Sequence, residues 1–319
     1  MRPSPKIQFD VASGISQGRR AYQQDAIIID FAIGADLGFA VLADGMGGHL
    51  AGDVASKIVV TEVFSELKLQ SGDKQAFEDN VTDILLEAAR AANECVHGHT
   101  LANPETSGMG TTLVAPVFIR NRLFWISIGD SPLFLYRDGV LRQINEDHSM
   151  APQIDYMVES GVIPAESGKN HPDRNCLTSV LIGSEIARID CPTDPLELCD
   201  GDVLIVASDG LQFLSNEQIE QTLNDNSTKN SSDIAETLLA DLEELGDPEQ
   251  DNVSFCVIKI RAASPPNAGH DVYAGAEAKN EVPFNSCRSD GEIAVAARQS
   301  VPGPLGFWRR SPASRDGTA

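Results

Sequence analysis

The chain has 319 residues, 24 Lys and Arg against 47 Asp and Glu, and a formal net charge of −23. With 42% hydrophobic and 22% charged residues it has the make-up of a soluble globular protein of one large or two ordinary domains. The acid excess would repel phosphate backbones and anionic lipid, so nucleic-acid and membrane partners are not expected. No apolar run approaches the ~18 residues that span a bilayer. The opening MRPSPKIQFDVASGIS has no apolar stretch after its basic residues, so no secretory signal is expected. Cys95, Cys176, Cys191, Cys199, Cys256 and Cys287 are scattered without a CxxC pair. That spacing fits reduced thiols in a cytoplasm better than a disulfide framework or a zinc site.

In chain order, short apolar runs predict strands at Ala26–Phe31 and Gly38–Ala43. Apolar residues every four positions then predict two helices, one through Ala55, Val59, Val63 and Leu67, the other through Phe77, Val81, Leu85, Ala88, Ala92 and Val96. Strands follow at Thr111–Ile119 and Leu123–Ile128, and Phe134–Arg137 should turn back at Asp138-Gly139 as a hairpin. After a strand at Asp202–Ala207 come helices near Asn216–Leu223 and Ser232–Leu245, and Val253–Ile260 is the last strand. Strands apolar at nearly every position should be covered on both faces. The order lacks the strict alternation of a doubly wound sheet and points to an α+β fold, antiparallel sheets sandwiched between outer helices.

From Ala262 onward the text is rich in Ala, Gly, Pro and Ser without period. It carries six basic residues (Lys279, Arg288, Arg298, Arg309, Arg310, Arg315) and six acidic ones (Asp271, Glu277, Glu281, Asp290, Glu292, Asp316). The whole −23 therefore belongs to residues 1–261. Such a segment buries too little apolar surface to offset its ordering entropy, so 262–319 is predicted to be a disordered tail. Its Gly-Phe-Trp-Arg-Arg cluster at 306–310 reads as incidental composition or as a docking motif.

Apolar strands repeatedly run into an aspartate followed by a small residue: Asp44-Gly45, Asp130-Ser131 and Asp209-Gly210. Asp25 and Asp251 open strands in the converse way. One strand-end aspartate is ordinarily a turn or cap residue. Five that converged would repel one another unless a cation lay among them, and an all-oxygen donor set selects Mg²⁺ or Mn²⁺ over zinc. The glycine-rich stretch 44–52 fits neither nucleotide motif. Leu50 stands where a dinucleotide fingerprint needs Gly or Ala, and Asp53 stands where a P-loop needs Lys. Its glycines are better suited to letting backbone approach a metal after Asp44.

Seven segments, in order, carry a resemblance. They are Gly18-Arg-Arg-Ala-Tyr-Gln-Gln-Asp-Ala26, Ala43-Asp-Gly-Met-Gly-Gly-His49, Gly110-Thr-Thr112, Gly129-Asp-Ser131, His171-Pro-Asp-Arg-Asn-Cys-Leu-Thr178, Ala207-Ser-Asp-Gly210 and Asp251-Asn252. Together they resemble the metal-dependent protein phosphatase 2C family, bacterial branch, over about residues 8–261. The resemblance implies an α-β-β-α four-layer sandwich as a catalytic domain over 1–261, with a flap subdomain at about 149–174 that influences substrate choice. It implies hydrolysis of phosphoserine and phosphothreonine on proteins by a water activated between two Mn²⁺ or Mg²⁺ ions, with a third, weaker site. Asp44 resembles the bridging ligand beside the Gly45 carbonyl, and Asp209 and Asp251 further ligands of the first metal. Asp130 with Asp209 resembles the third-metal pair, and Asp25 the acid that reaches the other metal through water. Arg20 matches the arginine that holds the substrate phosphate, a task suited to a bidentate guanidinium.

Four positions depart from the family pattern. Gln24 replaces a ligating Glu, Gln23 replaces Asn, Pro132 replaces the Arg of the usual GDSR, and Met46 stands where animal members have a histidine. His49, His148 and His171 read as structural, and Cys176 as a buried thiol outside the chemistry. The expected partners are phosphorylated proteins and a cognate Ser/Thr kinase in bacterial signalling, with the phosphatase itself a monomer. The alternative is a catalytically weak or dead relative that binds phosphoproteins as a scaffold.

Overall fold

The structure, a computed structural model, describes residues 7–47 and 51–262. The chain begins with three strands, β1 (Ile7–Ser16), β2 (Asp25–Phe31) and β3 (Leu37–Met46), and two long helices, α1 (Ala51–Gln70) and α2 (Lys74–Ala102). Five strands follow: β4 (Gly110–Thr111), β5 (Leu113–Ile119), β6 (Arg122–Ile128), β7 (Leu133–Arg137) and β8 (Val140–Gln143). After α3 (Ala151–Glu159) and α4 (Ala165–Lys169) come β9 (Leu196–Glu197), β10 (Val203–Ala207), α5 (Asn216–Asp225), α6 (Ser231–Leu245) and β11 (Val253–Ala262).

One sheet has the order β1-β11-β10-β7-β8; the other runs β2-β3-β5-β6-β9, with β4 paired to β3. Every pairing is antiparallel. The two-residue period of a strand sorts the side chains into three cores. Val41 and Ala43 face α1 and α2, whereas Leu42 between them faces the other sheet. Val253, Phe255 and Val257 face α5 and α6, whereas Cys256, Ile258 and Ile260 enter the space between the sheets. Three cores between four layers give the α-β-β-α sandwich. Each fully buried Leu or Phe here contributes roughly 1.5–3 kcal/mol. Phe9, Phe31 and Phe118 close one part of the inter-sheet core as an edge-to-face triad with centroids 5.3–5.5 Å apart.

The hairpin expected at Asp138-Gly139 forms, with φ of 53° and 84° at the two turn residues. Paired left-handed residues are the geometry that matches strand twist. The strand β1, not singled out from the sequence, pairs with β11 over its whole length, from Ile7 opposite Ala262 to Ser16 opposite Val253. Residues 149–177 form a side loop closed by a bridge between Ser149 and Leu177, and the segment expected as a flap lies within it. Of the expected tail, only Ala262 is among the described residues, and it ends β11; His49 lies outside them as well.

Candidate active site

The register of the second sheet puts Asp25 directly opposite Asp44. Side chains of such a pair stand about 4.5–5.5 Å apart at Cβ, and like charges there destabilise a sheet. Both residues are at most 2% exposed. Two buried carboxylates in cross-strand register are a costly arrangement in a fold, and they mark the end of the sandwich where other strand-end groups gather.

Main-chain and hydroxyl contacts hold Asp44 firmly. Its amide donates to Thr112 Oγ1 at 2.9 Å, and its carbonyl accepts from the Thr112 amide and from Thr111 Oγ1, each at 2.9 Å. Thr112 Oγ1 in turn lies 2.7 Å from Ser131 Oγ, which ties the Gly129-Asp130-Ser131 bend to the Asp44 strand. Asp25 accepts a hydrogen bond from Ser208 Oγ, on the other sheet, at 2.7 Å. Ser208 also pairs with Ser254, its amide donating to the Ser254 carbonyl and its Oγ accepting from the Ser254 amide. The two sheets are thus stitched together beside the carboxylates.

Glycine is required at both Asp-Gly steps of this region. A Cβ at Gly45 would fall 2.3 Å from the Gly52 carbonyl oxygen and 2.8 Å from that of Gln24; one at Gly210 would fall 1.8 Å from the Asn252 carbonyl oxygen. In this structure the close approach after each Asp-Gly is to neighbouring main chain. The Gly45 amide donates to the Gln24 carbonyl at 3.0 Å, which fixes the start of β2.

Arg20 lies on the loop between β1 and β2, and its Nη2 donates to Asp251 Oδ2 at 2.7 Å. Asn252 positions that loop, its Nδ2 donating to the carbonyls of Gln17 at 2.7 Å and Tyr22 at 3.0 Å. Asp130 and Asp209 line one cavity of about 450 Å³ together with Asp147, Arg174 and Asn175. His148 is fully buried beside this cavity's wall. Its Nδ1 accepts from the Gly129 amide at 3.2 Å and its own amide donates to the Gly129 carbonyl at 3.0 Å. Burial holds its pKa below the usual histidine range. His171 Nδ1 accepts from the Asp173 amide at 3.1 Å, a local turn contact. Cys176 is buried at the base of the side loop, and Met46 packs with Leu177 and Val180.

Asp25, Asp44 and their hydroxyl ties gather at one end of the sandwich, Arg20 pairs with Asp251, and Asp130 shares a cavity wall with Asp209. Among the described residues, no three His, Cys, Asp or Glu side chains already close on a single point. The donors present are nevertheless hard oxygens, and the buried Asp25–Asp44 pair is one that a divalent cation would stabilise. The residues therefore fit magnesium or manganese. Sequence reasoning missed Ser208, Thr112 and Asn252 as organisers, although all three stood inside the quoted motif segments.

Residues 15–251 match the protein phosphatase 2C family. The chain belongs to that family. Among curated family members, it is 37% identical over 184 residues to the serine/threonine protein phosphatase PstP of Mycobacterium tuberculosis, covering 57% of this chain and 33% of the relative. The chain thus spans about a third of PstP's length. It is 30% identical over 220 residues to the serine/threonine phosphatase stp of Listeria monocytogenes, covering 69% of this chain and 83% of that one. The crystal structure of the PstP catalytic domain in complex with two manganese ions superposes with a TM-score of 0.63 at 30% identity, covering 80% of this chain and 99% of that one. The 2C fold, two antiparallel sheets flanked by helices, is the one described above. No helix among the described residues is long and apolar enough to cross a membrane.

Proposed function

We propose that this chain is a metal-dependent protein-serine/threonine phosphatase, using Mn²⁺ or Mg²⁺, that opposes a Ser/Thr kinase in the bacterial cytoplasm. The observation that carries the reading is the buried cross-strand pair Asp25–Asp44, two carboxylates whose repulsion calls for a divalent cation. Asp44, the Gly45 carbonyl, Asp209 and Asp251 would hold one metal site, Asp130 with Asp209 a weaker one, and Asp25 would orient water beside Asp44. Gln24, where many family members have a ligating Glu, would stand with Asp25 outside the ligand set and leave the second metal fewer protein ligands. Bound divalent ions supply Lewis acidity, which lowers the pKa of water and neutralises phosphoryl charge.

The chain's own residues supply placement. Thr111 and Thr112 fix the Asp44 main chain, so its carboxylate has little freedom to follow a moving ligand. Arg20 offers a planar fork that matches phosphate oxygens, and Asn252 holds its loop in reach. Met46 has no proton to give, so this side chain cannot protonate the departing serine or threonine oxygen. Residues 1–261 would form the catalytic unit, with the side loop around 149–174 meeting the protein substrate.

The test is hydrolysis of p-nitrophenyl phosphate and phosphothreonine peptides by the full chain. Turnover should require Mn²⁺ or Mg²⁺, stop on addition of chelator and return when metal is restored. Turnover that persists in chelator would overturn the reading, and metal binding without turnover would favour a phosphoprotein-binding scaffold.

A further inference from the structure

A second cavity, about 380 Å³, opens where the end of α6 meets β1 and the start of β11. Ile15, Leu239 and Leu242 give it an apolar wall, and Glu243 and Asp247 bring two carboxylates to it. Gln250 also lines it and is 6% exposed. The Gln250 Nε2 donates to the carbonyls of Gly210 at 3.0 Å and Asp251 at 3.2 Å. Both partners can only accept, so the orientation of the amide is fixed by chemistry. Its Oε1 is a buried acceptor with no donor among the described residues. Buried acceptors in folded proteins are generally satisfied, and this one belongs to a side chain among those that line the cavity.

An apolar wall, a buried acceptor and two carboxylates together describe the complement of a long aliphatic stem that ends in a cationic, donor-rich head. The cavity also adjoins the reacting end of the molecule. Gly18 lines it, the Arg19 amide donates to the Gln250 carbonyl at 2.9 Å, and the next residues on the two segments are Arg20 and Asp251. We propose that this cavity is a subsite for an arginine or lysine side chain of the phosphoprotein, close in sequence to the phosphorylated residue. The proposal rests on the phosphatase reading. Arg19, an exposed residue, also lines the cavity and its charge offsets part of the attraction, so recognition depends on both carboxylates and on the fit of the stem.

The experiment uses the full-length chain with Mn²⁺ and nonapeptides centred on phosphothreonine in an alanine background. Arginine or citrulline, which keeps the shape but not the charge, is placed in turn at each flanking position. At one position arginine should exceed citrulline by about fivefold in kcat/KM, chiefly through KM, the scale of partly exposed ion pairs. The preference should disappear in the double variant Glu243→Gln/Asp247→Asn and in Leu239→Trp, which fills the cavity, while p-nitrophenyl phosphate hydrolysis is unchanged. A preference at no position, or one that survives both variants, overturns the proposal. A preference that emerges only in Arg309→Ala/Arg310→Ala overturns the assignment to substrate and gives the cavity to the chain's own arginines. Should the chain hydrolyse no phosphate ester, the phosphatase reading fails separately. Butylguanidinium then tests the cavity by NMR: a saturable shift of the Gln250 side-chain amide supports a guanidinium site, and no shift overturns it.

Discussion

The strand-end platform and the side loop at 149–177 are built on opposite terms. On the platform, Asp25, Asp44 and Asp251 are buried and held by hydrogen bonds from the Ser208 and Thr111 hydroxyls, the Thr112 amide and Arg20. In the side loop, α3 buries only Ile154, and Tyr156 and Val162 are about 70% exposed (70% and 69%). The loop is held by the Ser149–Leu177 bridge and by the exposed pair of Arg174 with Asp155. On the proposed function, the groups that must stay fixed during a reaction would sit where the backbone leaves no alternative, and those that meet varied protein surfaces where packing is thin.

This contrast can be broken by mutation, starting on the platform. Asp44→Asn, nearly isosteric, should lower turnover of p-nitrophenyl phosphate by roughly a thousandfold, the scale of losing a group that organises transition-state charge. A loss under tenfold would remove the distinction between the two regions. Ser208→Ala takes the hydroxyl from Asp25 and should cost about 1–2 kcal/mol in denaturant unfolding, with turnover also reduced.

His148 lies where the two regions meet, and its effect is read in pH. Its folded-state pKa is lowered by burial, so the neutral form contributes stability that is fully present above the unfolded value of about 6.5 and is lost as pH falls below it. In thermal melts between pH 7.5 and 5, His148→Gln should show a shallower acid-side decline than the parent. Parallel curves would remove His148 from the account. The smallest effect belongs to the side loop. Asp155→Asn should change stability by under about 1 kcal/mol, because exposed ion pairs contribute little; a larger loss would show the loop to be as firmly built as the platform.

The sandwich was largely legible in sequence because its inner strands are apolar at nearly every position and its outer helices repeat at four. Asp138-Gly139 announced its hairpin by residue type alone. The strand β1 escaped because the alternation of Ile7, Phe9, Val11 and Ile15 is diluted by Ala12, Ser13 and Gly14 and lacks a continuous apolar run; the ladder with β11 completes it. At the candidate site the residue types were legible and their company was not. Nothing local in the sequence says that the Ser208 hydroxyl meets Asp25 or that Arg20 meets Asp251, because these pairs are separated by 183 and 231 residues. Long-range pairing follows from strand register, which is a property of the assembled sheets.

The bonds from Asn252 to Gln17 and Tyr22 bear on the order in which the fold can assemble. The loop that carries Arg20 is synthesised well before the side chain that holds it, which stands immediately before β11. Closing that contact carries the entropy cost of a loop of more than 200 residues, and such contacts form late in folding. Arg20 therefore cannot take up its position before Asn252 has been synthesised. Until synthesis has passed β11, the first sheet lacks the strand that joins β1 to β10, and a product truncated before it would leave Arg20 without Asp251 and its loop without Asn252.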